Sequence, residues 1–328
     1  MARPLRFEFP GAMYHVINRG NYRERVFQDD GAKKSFEKAL FESCEEHRWI
    51  LHAYCLMGNH FHLALETPEG NLSKGMGWLQ STYAMRFNRY RKENGHIFQG
   101  RFKSIVVEGA QRLAWLCHYI HLNPVRANIL SANSIGSYRY SSLHWLVQGK
   151  KGRPPFLEFS TMLDTCGGLR DGPVGRKKYM EYLAWLSVDE PRQKSLYFDR
   201  MSKGWAHGSE EFKDSLLEDK KVETAQRIID GDAGKEAKEQ LWKKALASCL
   251  EALKKGEEEI DSDPKSADWK VAVCAFLRQR FHCQSRWISE RINMGTEAGV
   301  SRGLRRLREN KGAEAERILE TLKSSFKS

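Results

Sequence analysis

The run His60-Phe61-His62-Leu63-Ala64-Leu65-Glu66 reads as a β-strand, and its partner stands immediately before it. Residues 49–56 (WILHAYCL) form a second strand-like run, and Gly58-Asn59 between the two is a turn signal. An antiparallel hairpin here constrains the rest of the first 150 residues. A short apolar run at 13–18, closed by Arg19-Gly20-Asn21, predicts an earlier strand. Residues 32–47 have helical spacing, with Phe36, Leu40, Phe41 and Cys44 on one side. Residues 72–91 predict a second helix rich in aromatics and arginine, 102–107 a fourth strand, and 111–122 a third helix. The order β-α-β-β-α-β-α predicts an α+β fold, a ferredoxin-like antiparallel sheet with helices on one face. That architecture hosts many functions and by itself names none.

The segment 149–155 (GKKGRPP) combines charge, glycine and proline, and reads as the linker that closes a first domain at 1–150. A helical accessory region is expected over 151–265, with amphipathic stretches at 177–186 and 235–253 and an acidic break at 257–265 (EEEIDSDPK). The last segment, 266–328, predicts a helical unit over 269–326. Within it, 285–310 reads as a helix, a turn near 293–296 and a second helix. Ile288, Ile292, Val300, Leu304 and Leu307 would pack inward, leaving Arg302, Arg305, Arg306 and Arg308 outside. A DNA-binding helix-turn-helix has this pattern, and so does a plain αα-hairpin with a solvated basic face.

Over 328 residues, 54 Lys and Arg stand against 42 Asp and Glu, a net charge of +12 that favours a polyanionic partner. The seven cysteines are odd in number and contain no C-x-x-C pair, which argues against a disulfide framework and a zinc ribbon. Residues 1–10 carry no apolar core of a signal peptide, and no stretch approaches a membrane span. A cytoplasmic, nucleoid-associated protein with reduced thiols is expected. No G-x-x-x-x-G-K-[ST] loop is present, so nothing points to nucleotide hydrolysis.

Two segments carry possible chemistry. On a strand His60 and His62 point the same way, about 7 Å apart along the chain, and could share one divalent ion. Two surface histidines would look the same. In Cys117-His118-Tyr119-Ile120-His121-Leu122-Asn123-Pro124, Tyr119 and Asn123 fall on one helical face, and Pro124 predicts a helix end at about Asn123. Tyr119 as a packing residue and Asn123-Pro124 as a cap are the plain alternatives.

Taken together, Asn59-His60-Phe61-His62 and the run from Tyr119 through Asn123-Pro124-Val125-Arg126-Ala127 resemble the REP-associated tyrosine transposases. These belong to the HUH (His-hydrophobe-His) nucleases and act on repetitive extragenic palindromes. Tyr14-His15-Val16 through Arg19-Gly20, Phe98-Gln99-Gly100-Arg101-Phe102-Lys103 and Tyr140-Ser141-Ser142 agree in order and spacing. The resemblance covers residues 1 to about 150, and Gly204-Trp205 through Gly208-Ser209 to Phe212 resembles a segment of longer members. It implies His60 and His62 as metal ligands, Tyr119 as nucleophile and Asn123 at the position of a third ligand. Related insertion-sequence enzymes commonly carry glutamine there, and the shorter amide matches the REP-associated group.

The implied reaction is cleavage of single-stranded or hairpin DNA through a 5′-phosphotyrosine, with rejoining by the reverse attack. Ligation by two imidazoles and an amide suits Mn²⁺ as well as or better than Mg²⁺. Arg19, Arg101, Lys103 and Arg126 flank the motifs as candidate phosphate contacts, with Phe98 or Phe102 as stacking residues. Arg302 and Arg305 are the C-terminal candidates for DNA binding. A DNA-binding regulator without turnover and an RNA-processing nuclease are the alternative functions.

Overall fold

The structure, a computed structural model, describes residues 6–218, 234–281, 283–309 and 312–326. Its first compact unit is Leu5–Leu216. Strand β1 (Ala12–Arg19) leads to helix α1 (Asp30–Glu46), strands β2 (Ile50–Leu56) and β3 (His60–Thr67), helix α2 (Leu72–Arg91), strand β4 (Lys103–Val107) and helix α3 (Gly109–Arg126). Asp29 caps α1 by accepting a hydrogen bond from the Ala32 amide at 2.7 Å. The strands lie in the order β2-β3-β1-β4, all antiparallel, which is the ferredoxin-like arrangement.

Alternation along β3 divides the core. Phe61 joins Phe36 of α1, Tyr83 of α2, and Phe27 and Phe98 in one aromatic cluster, with Phe36 and Phe61 centroids 4.8 Å apart. His62 faces the other way, onto α3. The expectation of helices on one face is therefore corrected: α1 and α2 cover one face and α3 the other. The signal behind this is the burial of both halves of β3, since a strand wet on one side would not hide Phe61, His62 and Leu63 alike.

Helix α3 also runs past its expected end. Pro124 lies inside it, and the helix continues to Arg126. Proline leaves the carbonyl one turn back without its amide donor. The Asn123 side chain fills the gap, its Nδ2 donating to the carbonyls of Tyr119 at 3.1 Å and Ile120 at 3.5 Å.

The first unit does not stop at residue 150. Helix α4 (Ser142–Gln148) precedes the expected linker; beyond it, Leu157 bridges to Leu51, and helices α5 (Ser160–Thr165), α6 (Pro173–Val188) and α7 (Glu190–Ser195) belong to the same body. The chain then adds a fifth strand, β5 (Ala206–His207), parallel to β4, and helix α8 (Glu210–Glu218). The sheet is thus mixed, with a parallel edge that antiparallel reasoning from four strands could not supply.

The second unit, within Leu217–Ser328, contains α9 (Gly234–Ala252), α10 (Glu257–Ser262), α11 (Asp268–Phe281), α12 (Ser285–Arg291), α13 (Glu297–Arg308) and α14 (Ala313–Ser325). The acidic stretch expected as a break forms α10, whose first turn is rich in glutamate and suits the positive end of a helix dipole. Trp242 packs on Trp287, and Phe276 on Phe326. All seven cysteines are free. Among the described residues no helix is long and apolar enough to cross a membrane.

Candidate active site

The antiparallel register sets Arg19 opposite His60, Ile17 opposite His62 and His15 opposite Ala64. Opposed residues share a face, so His60, His62, His15 and Arg19 lie on the side covered by α3. The rings of His60 and His62 are 5.0 Å apart and nearly perpendicular.

Hydrogen bonds fix which nitrogen of each ring carries a proton. The Met201 carbonyl can only accept, so His15 donates to it from Nδ1 at 2.7 Å and keeps a lone pair on Nε2. That Nε2 accepts from His62 Nδ1 at 2.9 Å, which leaves the lone pair of His62 on its Nε2. His60 Nδ1 meets Asn59 Oδ1 at 2.7 Å, and the Asn59 amide is oriented by donating its Nδ2 to the Arg23 carbonyl at 3.3 Å. His60 therefore also presents Nε2. Burial keeps all three rings neutral: it lowers His15 to about 3 and His60 to about 4, helped at His60 by Arg19, and holds His62 well below its ordinary value. Two neutral imidazoles with outward Nε2 lone pairs are a donor set for a divalent ion, and His15 and Asn59 are the kind of outer partners that orient such ligands. Among the described residues no third His, Cys, Asp or Glu completes a metal cluster, so any third protein ligand has to be of another type.

Helix α3 delivers Tyr119 to this face. Its ring meets His62 edge-on at 5.7 Å and His15 at 5.9 Å. The side chain is only 7% exposed. Residues 198–202 cover it: Phe198 packs edge-on at 5.4 Å, and the phenol shares a hydrogen bond with Ser202 Oγ at 3.0 Å. Arg126, about two helical turns further on, sets its guanidinium 4.8 Å above the Tyr119 ring. Asn123 lies next to this group on α3, but its hydrogen bonds run to its own helix. With the amide nitrogen committed there, only Oδ1 is left for a ligand. His118 and His121 turn to the other side and share the Tyr179 hydroxyl at 3.0 and 2.9 Å.

Of the expected DNA contacts, Arg19, Arg101 and Arg126 are exposed around the site. Lys103 donates to the Ser202 carbonyl at 2.8 Å and so holds the covering segment. Phe98 and Phe102 are corrected: both are buried, Phe98 in the aromatic cluster and Phe102 under the Arg6 guanidinium, so neither can stack on a base. His15, Met201, Phe198 and Ser202 were missed as site residues. His15 stood in a motif quoted for resemblance alone, and only the strand register reveals that it shares a face with His62.

In the second unit, α12 and α13 are joined by a turn in which Asn293 and Gly295 have positive φ. Ile288, Ile292 and Val300 are buried as expected, while Leu304 and Leu307 are half-buried. Arg302 is exposed on α13, and Arg305 is exposed and paired with Glu309 at 2.7 Å. Arg306, expected outside, is half-buried and bonded to Asp268; the side chain of Arg308 lies outside the described residues.

A solved structure of a REP-associated tyrosine transposase bound to a REP hairpin is 18% identical at a TM-score of 0.38, over 52% of this chain and 98% of that one. A Haemophilus influenzae protein named "Putative REP-associated tyrosine transposase" is 25% identical over 120 residues, 33% of this chain and 67% of that protein. Residues 9–123 match the family model described as Transposase IS200 like, a stretch that begins before β1, ends at Asn123 and holds His60, His62 and Tyr119. Residues 9–123 are thus similar to the IS200-like transposases.

Proposed function

We propose that the protein cuts and rejoins single-stranded or hairpin DNA of repetitive palindromic type, with Tyr119 as nucleophile and a divalent ion as cofactor. The observation that carries this reading is the meeting of Tyr119 with His62, whose ring neighbours His60, with hydrogen bonds that leave Nε2 of both histidines as lone-pair donors. His60 and His62 would hold the ion through Nε2, with Oδ1 of Asn123 as the third protein ligand. Mn²⁺ or Mg²⁺ bound there supplies positive charge to the phosphate oxygens.

The chain's own groups account for the rest. The Tyr119 oxygen attacks phosphorus, the bond to the 3′-oxygen breaks, and that oxygen leaves as a hydroxyl after taking a proton. The product is a 5′-phosphotyrosine, and attack by a 3′-hydroxyl reverses the step without any nucleotide cofactor. Arg126, above the Tyr119 ring, is placed to meet phosphate as the nucleophile is engaged. Attack requires residues 198–202 to give way, because Phe198 and Ser202 occupy the space around the phenol. In the second unit α12 and α13 are read as a helix-turn-helix, with Arg302 and Arg305 toward a DNA groove.

Incubation with Mn²⁺ and a labelled palindromic hairpin should give a covalent protein–DNA adduct that resists denaturation. Tyr119→Phe should abolish the adduct and keep DNA binding; an adduct that survives would assign the nucleophile elsewhere. The matching RNA hairpin should give none, which separates this function from RNA processing. A wild-type chain that binds the hairpin without any adduct would instead support a regulator.

A further inference from the structure

The turn after β1 is built at some conformational expense. Tyr22 (φ 49, ψ 23) and Arg23 (φ 64) adopt the left-handed region in succession, and neither is glycine or asparagine. Such a pair persists only where neighbouring structure dictates it. Here the Gly20 amide donates to the Asn59 carbonyl at 2.8 Å, and the Asn21 amide to the Ile97 carbonyl at 2.9 Å. Gly20 also bridges to Phe98, and a Cβ on Gly20 would stand 2.3 Å from the Glu24 carbonyl oxygen. The Arg23 carbonyl accepts from Asn59 Nδ2, and the same amide orients His60 through Oδ1. The turn is thus anchored on three sides and tied to the histidine strand.

What this frame displays is a tyrosine. Tyr22 is 87% exposed, the most exposed large apolar side chain among the described residues. A core role is excluded, and a mobile loop would not need left-handed strain to hold it out. Arg19, Arg23 and Arg25 are exposed around it, with Glu24 the one acidic residue from 19 to 25. Arg19 stands directly across from His60. A rigid aromatic face among cations is the local chemistry that takes an unpaired base with its phosphates. Phe98 and Phe102, being buried, leave that task unfilled near the site.

We propose that Tyr22 is a stacking platform for one unpaired base beside the phosphate that Tyr119 attacks, with Arg19 and Arg23 on the flanking phosphates. The assignment rests on the DNA reading above and adds to it where the single-stranded part of the substrate lies.

The test uses the full chain carrying Tyr119→Phe, which prevents turnover, and a hairpin with a single-stranded tail bearing 2-aminopurine at successive positions. Binding should quench or shift the fluorophore at one position, and Tyr22→Ala should remove that signal and weaken tail-hairpin affinity by about tenfold, within the range for one base–aromatic stack. Tyr22→Trp should keep both. A hairpin without the tail should bind Tyr22→Ala and Tyr22 chains equally. Unchanged affinity and fluorescence in Tyr22→Ala overturn the platform while leaving the nuclease reading intact. Failure of the Tyr22 chain to bind any DNA overturns both.

Discussion

His15 Nε2 accepts a hydrogen bond from His62 Nδ1 at 2.9 Å, and His15 is in turn held by the Met201 carbonyl. One buried ring therefore selects the tautomer of the next. Replacing His15 by alanine should leave His62 free to carry its proton on either nitrogen and to rotate. Mn²⁺ affinity should fall by about 10–100-fold, the usual loss for an outer partner of a metal ligand. Titration calorimetry checks this without any DNA. His15→Gln, whose amide oxygen can accept from His62, should recover part of the affinity, and equal affinity in all three chains would refute the relay.

Asn123 has a structural task that must be separated from any ligand role. Asn123→Ala should leave the helix carbonyls next to Pro124 short of a donor, at a cost of about 1–3 kcal/mol. Pro124→Ala restores the missing amide, so the double variant should regain much of that stability in chemical unfolding. It should not regain Mn²⁺ binding or adduct formation. A double variant no more stable than Asn123→Ala would show that the amide does not stand in for the proline's lost donor.

Covering of Tyr119 by Phe198 should limit the rate at which DNA reaches the phenol. Phe198→Ala removes the ring that packs edge-on against Tyr119. The initial rate of adduct formation with Mn²⁺ should rise, by about three- to tenfold if the covered form predominates. Burst kinetics on denaturing gels give the rate, and a rate equal to that of the unaltered chain would mean the segment is no barrier.

Acid should destabilise the first unit through His118 and His121. Burial lowers both from 6.5 to about 3, while the unfolded chain takes up these protons near the ordinary value. The unfolded state then binds more protons throughout that window, so stability is complete above pH 6.5 and falls as pH drops toward 3. Each histidine contributes a slope of up to about 1.4 kcal/mol per pH unit. His121→Gln should flatten the dependence by one proton's worth in urea unfolding at several pH values. An identical slope would mean that His121 is protonated in the folded chain.

Where the sequence was legible, the pattern was local. The β2–β3 hairpin, the α1 and α2 helices and the α12–turn–α13 pair follow from periodicity and a Gly-Asn turn, all read over a dozen neighbours. The pairing of His60 and His62 on one face follows from strand alternation alone. Pro124 misled because its usual consequence is cancelled by one neighbouring amide, a compensation that no propensity records. His15 and the 198–202 segment were illegible for another reason. Their contacts span 47 residues from His15 to His62 and 83 from Tyr119 to Ser202, and depend on register and on a parallel edge strand that no short window encodes. The 149–155 stretch looked like a linker because its composition is that of a loop, and composition does not say whether the chain beyond it returns to the same core.

The Met201 carbonyl accepts two hydrogen bonds, from His15 Nδ1 at 2.7 Å and from His207 Nε2 at 2.8 Å. It is the chain neighbour of Ser202, which blocks the phenol. Under the proposed function, withdrawing that short stretch to let a phosphate enter would therefore also unlatch His15, and with it the imidazole orientation proposed to hold the ion. Unmasking the tyrosine and loosening the histidine frame would thus be a single mechanical event, in which the proposed incoming strand would supply the restraint that the departing loop had provided.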